Sequence, residues 1–237
     1  MFIPLSDTNP LRHMRFPYVN YALVALNVSV FLFLQSGLVL PENDVFVRAF
    51  GITPAVLDGA MPIDPQFAML PRSVTLLTYM FLHGGWLHLI GNMLFLWTFG
   101  DNIEDDLGHA RYLLFYLLCG IAAGLTHVLV LPTSMAPLIG ASGATAGVVA
   151  AYLLLHPRIR IWVLFLGRIP LRITAAWALG SWVGLQFVSA FALAGDDVAW
   201  WAHVGGIVTG AVLVLILRRP GVVLFDQAQP GSEGTAR

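Results

Sequence analysis

The chain contains no lysine: all 12 of its Lys/Arg positions are arginine, and charged residues of either sign make up 11% of its 237 residues. That scarcity, beside 58% hydrophobic residues, excludes an ordinary soluble domain, in which about 25% are charged and about 45–50% apolar. A formal net charge of −1 offers no basic footprint, so no nucleic-acid partner is expected. One cysteine, Cys119, excludes an internal disulfide. No segment repeats another, which argues against the duplicated architecture of many secondary transporters.

What is present is apolar sequence in long runs. Roughly 20 residues at about 1.5 Å each cross about 30 Å of hydrocarbon. Six runs approach or exceed that length: Pro17–Leu40, Leu76–Gly100, Tyr112–Leu131, Leu138–His156, Ile173–Leu193 and Val198–Leu217. The expected fold is an all-α membrane protein with a six-transmembrane-helix bundle. The first run exceeds the apolar core of a signal peptide and no small-residue cleavage pattern follows it, so it reads as retained. Orientation rests on arginines alone. Placing both ends inside puts Arg12, Arg15, Arg111, Arg158, Arg160, Arg168, Arg172, Arg218 and Arg219 on the cytoplasmic side, against Arg48 and Arg72 outside. Both termini are therefore expected to be cytoplasmic. Residues 1–16 read as an N-terminal tail, 17–219 as the membrane domain and 220–237 as a disordered C-terminal tail. The proline-rich stretch 41–74 reads as a long outer loop partly facing lipid, and the acids Asp101, Glu104, Asp105 and Asp106 as part of an inner loop. The uncharged connection Pro132–Pro137 suits a loop that dips into the outer leaflet under protein cover.

A polar side chain within a span is disfavoured enough to suggest function. Ser142 precedes His156, at the inner end of the fourth run, by fourteen residues, and His203 precedes Leu217 by the same number. Both runs point inward, so serine and histidine stand level, about 21 Å above the inner boundary. His203 shares a helix face with Gly206 and Gly210, and Ser142 with Thr145 and Ala146, small enough for close approach. Gly143 and Gly147 form a second small row, expected to meet another neighbour. A lone intramembrane serine is more often packing than nucleophile; one matched in depth and face by an imidazole points to serine catalysis. In FLHGGWLHLIGN, His88 and Asn92 lie one turn apart near the same level. Asn92 first, then His88, with the Ser142 backbone N–H, are the candidate donors to a developing oxyanion. A metal site among His83, His88 and His203 is disfavoured, because the His83–His88 spacing suits no single helix face, no HExxH occurs and no carboxylate lies nearby. His127, Ser181 and Gln186 read as satisfying neighbouring helices, and His13, His109 and His156 sit at or beyond the boundaries with no special role.

HGGWLHLIGN with His88 and Asn92, GASG with Ser142, and AHVGG with His203 occur in that order on the second, fourth and sixth runs. The set resembles the rhomboid intramembrane serine proteases over about Pro17 to Arg219. The resemblance implies a Ser142 nucleophile, a His203 general base, and Asn92 with His88 in the oxyanion hole. It also implies membrane-protein substrates with a transmembrane segment, a small residue at the cut and helix breakers nearby, and no metal or other cofactor. A bacterial inner membrane is the expected location. Within GDNIEDDLGHAR, Glu104 and Gly108 look structural. Two positions depart from the pattern: Arg48 follows Val47 where some rhomboids carry a Trp-Arg pair, and Ala146 stands where some place a tyrosine stacked on the histidine. The rival from another class is a non-proteolytic rhomboid-like protein that binds transmembrane helices without cutting them.

Overall fold

An uncharged apolar run can satisfy its backbone in lipid only as a helix, and helices account for most of the computed structural model, which describes residues 2–40, 44–192 and 199–226. In chain order the elements are β1 (Phe2–Asp7), α1 (Tyr18–Leu34), α2 (Asp44–Phe50), α3 (Pro54–Leu57), α4 (Thr75–Thr78), α5 (Trp86–Leu107), α6 (His109–Val130), α7 (Ser142–Leu155), β2 (Arg160–Phe165), β3 (Ile169–Thr174), α8 (Ala175–Ala192) and α9 (Trp200–Leu217). Four of them, α1, α6, α8 and α9, are long and apolar enough to cross a membrane. Helix α5 is as long as α6 but ends in acids, and α7 has only 14 residues. Leu87, Leu129, Trp177, Phe191 and Ile216 point outward as a bare apolar surface, which suits lipid rather than water.

The short helix α7 is the axis of the bundle, with every residue from Gly143 to Tyr152 buried. Glycines permit this. A Cβ on Gly206 would lie 1.9 Å from the Gly143 carbonyl oxygen, and one on Gly210 would lie 2.4 Å from that of Gly147. The Gly143–Gly147 row therefore packs on α9, where the sequence suggested a different neighbour. It also meets α6, since Cβ atoms on Gly143 and Gly147 would reach Ala123 and Cys119. One bare row thus serves two helices, leaving Ser142 at the edge of the α7–α9 contact.

The second apolar run is not one helix. Its first part forms α4 and a single 3-10 turn, Tyr79–Phe81, and α5 starts only at Trp86, after Gly85. Helix α5 then runs on to Leu107, so the acids are in its last two turns and not in a loop. Helix continues there because Glu104, Asp105 and Asp106 find partners outside α5. Glu104, fully buried, accepts from the backbone N–H groups of Val19 (3.0 Å) and Asn20 (2.6 Å) at the start of α1, and pairs with His109. Asp105 accepts from the N–H of Arg12 (2.7 Å) and His13 (2.8 Å) and from the His13 ring, while Asp106 pairs with His156 at 2.6 Å. His13, His109 and His156 thus each gain an acidic partner that their boundary positions did not announce. The turn comes at Gly108, whose φ of 87° favours glycine.

An all-α reading also omits a three-stranded antiparallel sheet, in the order β1–β2–β3, beneath this end of the bundle. In β2 Ile161 and Val163 face inward and Arg160 and Trp162 outward, the period-two pattern of a half-buried strand. Near it, the Phe225 and Asp226 N–H groups donate to the carbonyls of Leu154 and Leu155, and Asp226 pairs with Arg12 at 2.8 Å.

Candidate active site

Chain that is not helical must pass deep among the helices to deliver Ser142, and its backbone groups need partners there. Residues Leu138 to Ala141 find them. Leu138 exchanges two backbone hydrogen bonds with Ile52 (2.7 and 3.0 Å), and Gly140 N–H donates to the carbonyl of Tyr79 at 2.9 Å. The Tyr79 hydroxyl donates in turn to the Gly120 carbonyl at 2.6 Å. The uncharged loop before α7 is also tied by its Ser134 carbonyl to the Ala55 N–H of α3. The 41–74 stretch is thus more structured than a loop reading implies: α2 and α3 brace the approach to the site.

Ser142 is the first residue of α7, with Ala141 as its N-cap. Its own N–H and those just after it have no acceptor within the helix, and the positive end of the helix dipole lies there. Ser142 Oγ is 2.9 Å from His203 Nε2. The level and face deduced from spacing therefore bring these two side chains into hydrogen-bond contact. On its other nitrogen, His203 Nδ1 lies 2.7 Å from Gln186 Oε1 on α8. The rings of Trp182 and Trp200 flank the imidazole, with centroids 6.2 and 6.1 Å away.

His88 and Asn92 approach the same segment. Gly84 N–H donates to His88 Nδ1 at 3.2 Å, so Nδ1 is an acceptor and Nε2 carries the hydrogen. A Cβ on Gly140, two residues before the serine, would lie 2.7 Å from His88 Nε2 and 3.8 Å from Asn92 Nδ2. Gly140, with φ 120°, is where only glycine fits. Asn92 spends one amide hydrogen on the His88 carbonyl, at 3.1 Å, and keeps the second. The His88 and Asn92 side chains thus meet the chain at Gly140, two residues before the start of α7.

A cavity of about 540 Å³ adjoins them, lined by His88, His127, Ser142, Ala199, His203 and loop residues Ala136–Ile139. His127, read from sequence as interhelical filler, lines this cavity. His83 lines a neighbouring cavity of about 270 Å³ with Gln35 and Trp86. Its main chain is clasped there by Gln35, which accepts from His83 N–H (2.9 Å) and donates to its carbonyl (3.0 Å). Gln186 is the residue whose place in the site was missed, and the available signal was a lone amide in an apolar span. Among the described residues, the histidine and carboxylate atoms close enough to share a metal ion, within 4.8 Å, belong to His13, Asp105 and Asp106 at the opposite end of the bundle.

A family model described as "Rhomboid domain" matches residues 71–220. The chain is 32% identical over 161 residues to "RHOMBOID-like protein 6, mitochondrial" of Arabidopsis thaliana, covering 67% of this chain and 46% of the relative. It is 32% identical over 189 residues to "Rhomboid-like protein 11, chloroplastic" of the same plant, covering 78% and 63%. "Rhomboid protease GluP" of Bacillus subtilis (strain 168) matches at 32% over 152 residues, covering 64% of this chain and 27% of that protein. The chain thus spans less than two thirds of the length of each of these curated relatives.

Proposed function

The chain belongs to the rhomboid family of multi-pass membrane proteins, and from that premise we propose that it is an intramembrane serine endopeptidase, hydrolysing peptide bonds in or near the transmembrane segments of membrane proteins through a Ser142–His203 dyad. The observation that carries this reading is the 2.9 Å contact of Ser142 Oγ with His203 Nε2 at the wall of a cavity. Serine becomes a useful nucleophile only when a base takes its proton as it attacks. In the proposed reaction Oγ bonds to the substrate carbonyl carbon while its proton passes to Nε2. The carbonyl oxygen gains the charge and is met by Asn92 Nδ2–H, His88 Nε2–H and the Ser142 N–H. Nε2 then returns the proton to the leaving nitrogen and the C–N bond breaks. A water, deprotonated by the same Nε2, attacks the ester carbon, and the C–Oγ bond breaks as Nε2 gives that proton to Oγ.

The proposal includes six crossings, by α1, α5, α6, α7, α8 and α9, with both termini cytoplasmic and the cavity at the outer end. At about 21 Å, α7 is shorter than the hydrocarbon, which leaves its serine sunk beneath the surface in a wet recess. A helical substrate hides its peptide bonds in internal hydrogen bonds, so it must unwind to be cut, which suits segments with helix breakers. A bacterial inner membrane is part of the proposal, whereas relatives named mitochondrial and chloroplastic point to organelles.

The test is cleavage of model single-span substrates by detergent-solubilised protein beside Ser142→Ala and His203→Ala. Cleavage by the wild type alone, and fluorophosphonate labelling that needs both residues, are the expected results. Equal cleavage by Ser142→Ala rejects the nucleophile. Binding of such helices with no cleavage by any form selects the non-proteolytic reading.

A further inference from the structure

An imidazole can accept the serine proton only at a nitrogen that has none, so the dyad needs something to keep His203 in one tautomer. In this chain no carboxylate among the described residues bonds His203; its hydrogen-bond partners are Ser142 and Gln186. Ala146 is too small to stack on it.

Gln186 is 3% exposed, so its amide is fixed by neighbours rather than by water. An amide can be turned either way, and here its own helix decides. Nε2 donates to the Trp182 carbonyl one turn earlier, at 3.2 Å, which leaves Oε1 as the atom 2.7 Å from His203 Nδ1. Oε1 has no hydrogen, so Nδ1 supplies the one between them. Nε2 is then bare and faces Ser142 Oγ at 2.9 Å. The alternative tautomer would leave Nδ1 and Oε1 as two facing acceptors, and would put a hydrogen where the serine must deliver its own.

We propose that Gln186 is the positioning residue of the dyad: its side-chain oxygen, locked by the Trp182 carbonyl, holds His203 in the tautomer that can take the serine proton. The role rests on the dyad reading above. It gives α8 a part in catalysis without contact with the substrate. It also specifies what the position requires, which is an acceptor at the end of a three-carbon side chain and not an amide as such.

That requirement separates positioning from packing. Gln186→Met keeps length and bulk and removes the acceptor; Gln186→Glu keeps an acceptor in either protonation state. A buried N–H without an acceptor is disfavoured by a factor of about 10–100, and kcat of Gln186→Met should fall by that factor with KM unchanged. Gln186→Glu should recover most of the loss, and both should unfold near the wild-type temperature. In the wild type, 15N shifts of histidine-labelled protein, with His203 assigned by its loss in His203→Ala, should show the Nδ1–H tautomer at neutral pH. Full kcat in Gln186→Met, equal loss in both variants, or an Nε2–H tautomer each overturns the proposal. The 15N measurement decides the matter even if a variant fails to fold. Because Ser142→Ala is assayed in parallel, loss of the positioning role leaves the dyad standing, whereas an active Ser142→Ala removes both.

Discussion

At the sheet end of the bundle Glu104 accepts from two backbone N–H groups and pairs with His109, and Asp105 accepts from two more and from His13. At the opposite end Ser142 makes a single side-chain hydrogen bond, to His203, and the cavity lies beside it. Both ends hold histidines and other polar groups in a mostly apolar chain. At the first end they are consumed in tying the segment before α1, the end of α5 and the start of α6 together. At the second they are anchored from behind, by Gln186, Gly84 and the His88 carbonyl, while their front atoms stay available. A polar group fully spent on its neighbours stabilises; one spent on its far side only is free for chemistry.

The sharpest break of this contrast is at the dyad. Ser142→Ala and His203→Ala should each lower kcat by at least about 10⁴-fold, because neither half activates anything alone. The unfolding temperature of each should stay within about 2 °C of wild type, since each loses one hydrogen bond at a cavity wall. A large thermal loss in Ser142→Ala would move it into the structural class. Glu104→Ala should do the reverse. It strands the N–H groups of half-buried Val19 and buried Asn20, and donors left without an acceptor in this way cost about 1–3 kcal/mol each. The expected readout is a much lower unfolding temperature, with kcat of the surviving folded fraction close to wild type.

How far the sequence announces each end follows from the same contrast. Ser142, His203, His88 and Asn92 are legible because depth and helix face are arithmetic on residue number, and polar residues stand out against apolar runs. The acid–histidine pairs are not, since they join residues such as Asp106 and His156, far apart in sequence, at boundaries where polar residues are unremarkable. The sheet escapes for a related reason: β1 alone is six residues, and its partner β2 lies beyond four spans of chain. Helix limits misled where a rule about charge was applied too simply. Asp101 to Asp106 looks like a loop, yet the helix carries them because donors from α1 and the segment before it arrive from outside. Gln186 was visible as a buried amide, but only the packing of α8 on α9 identifies His203 as the group it serves.

Asn92 tests the front atoms alone. Asn92→Ala removes an amide whose Nδ2 lies 3.8 Å from where a Cβ on Gly140 would stand, and with it one bond to the His88 carbonyl, at 3.1 Å within its own helix. Loss of an oxyanion donor costs about 10²–10³ in kcat. A drop of that size with KM and unfolding temperature nearly unchanged keeps Asn92 with the reacting groups. A drop in stability with kcat intact would return it to helix packing.

The smallest effect concerns Asp101, an exception at the well-satisfied end. It lies just past the last apolar residue of its span, and its one side-chain hydrogen bond is to the adjacent Asn102 N–H at 2.8 Å. Burial, and then the neighbouring Asp7 carboxylate, push its pKa from 3.8 up to about 7. A carboxyl raised in the folded state favours folding when protonated. Its contribution is therefore complete below the unfolded value, declines as pH rises, and is gone once pH passes about 7. Asparagine has the shape of the neutral acid, can accept from the same N–H and never ionises. Asp101→Asn should thus raise the unfolding temperature by about 2–4 °C at pH 8 and by less at pH 5, flattening the decline seen in the wild type. The same gain at both pH values would mean that charge is not the cause, and a loss at pH 8 would mean that Asp101 is ionised and satisfied like the other acids at this end.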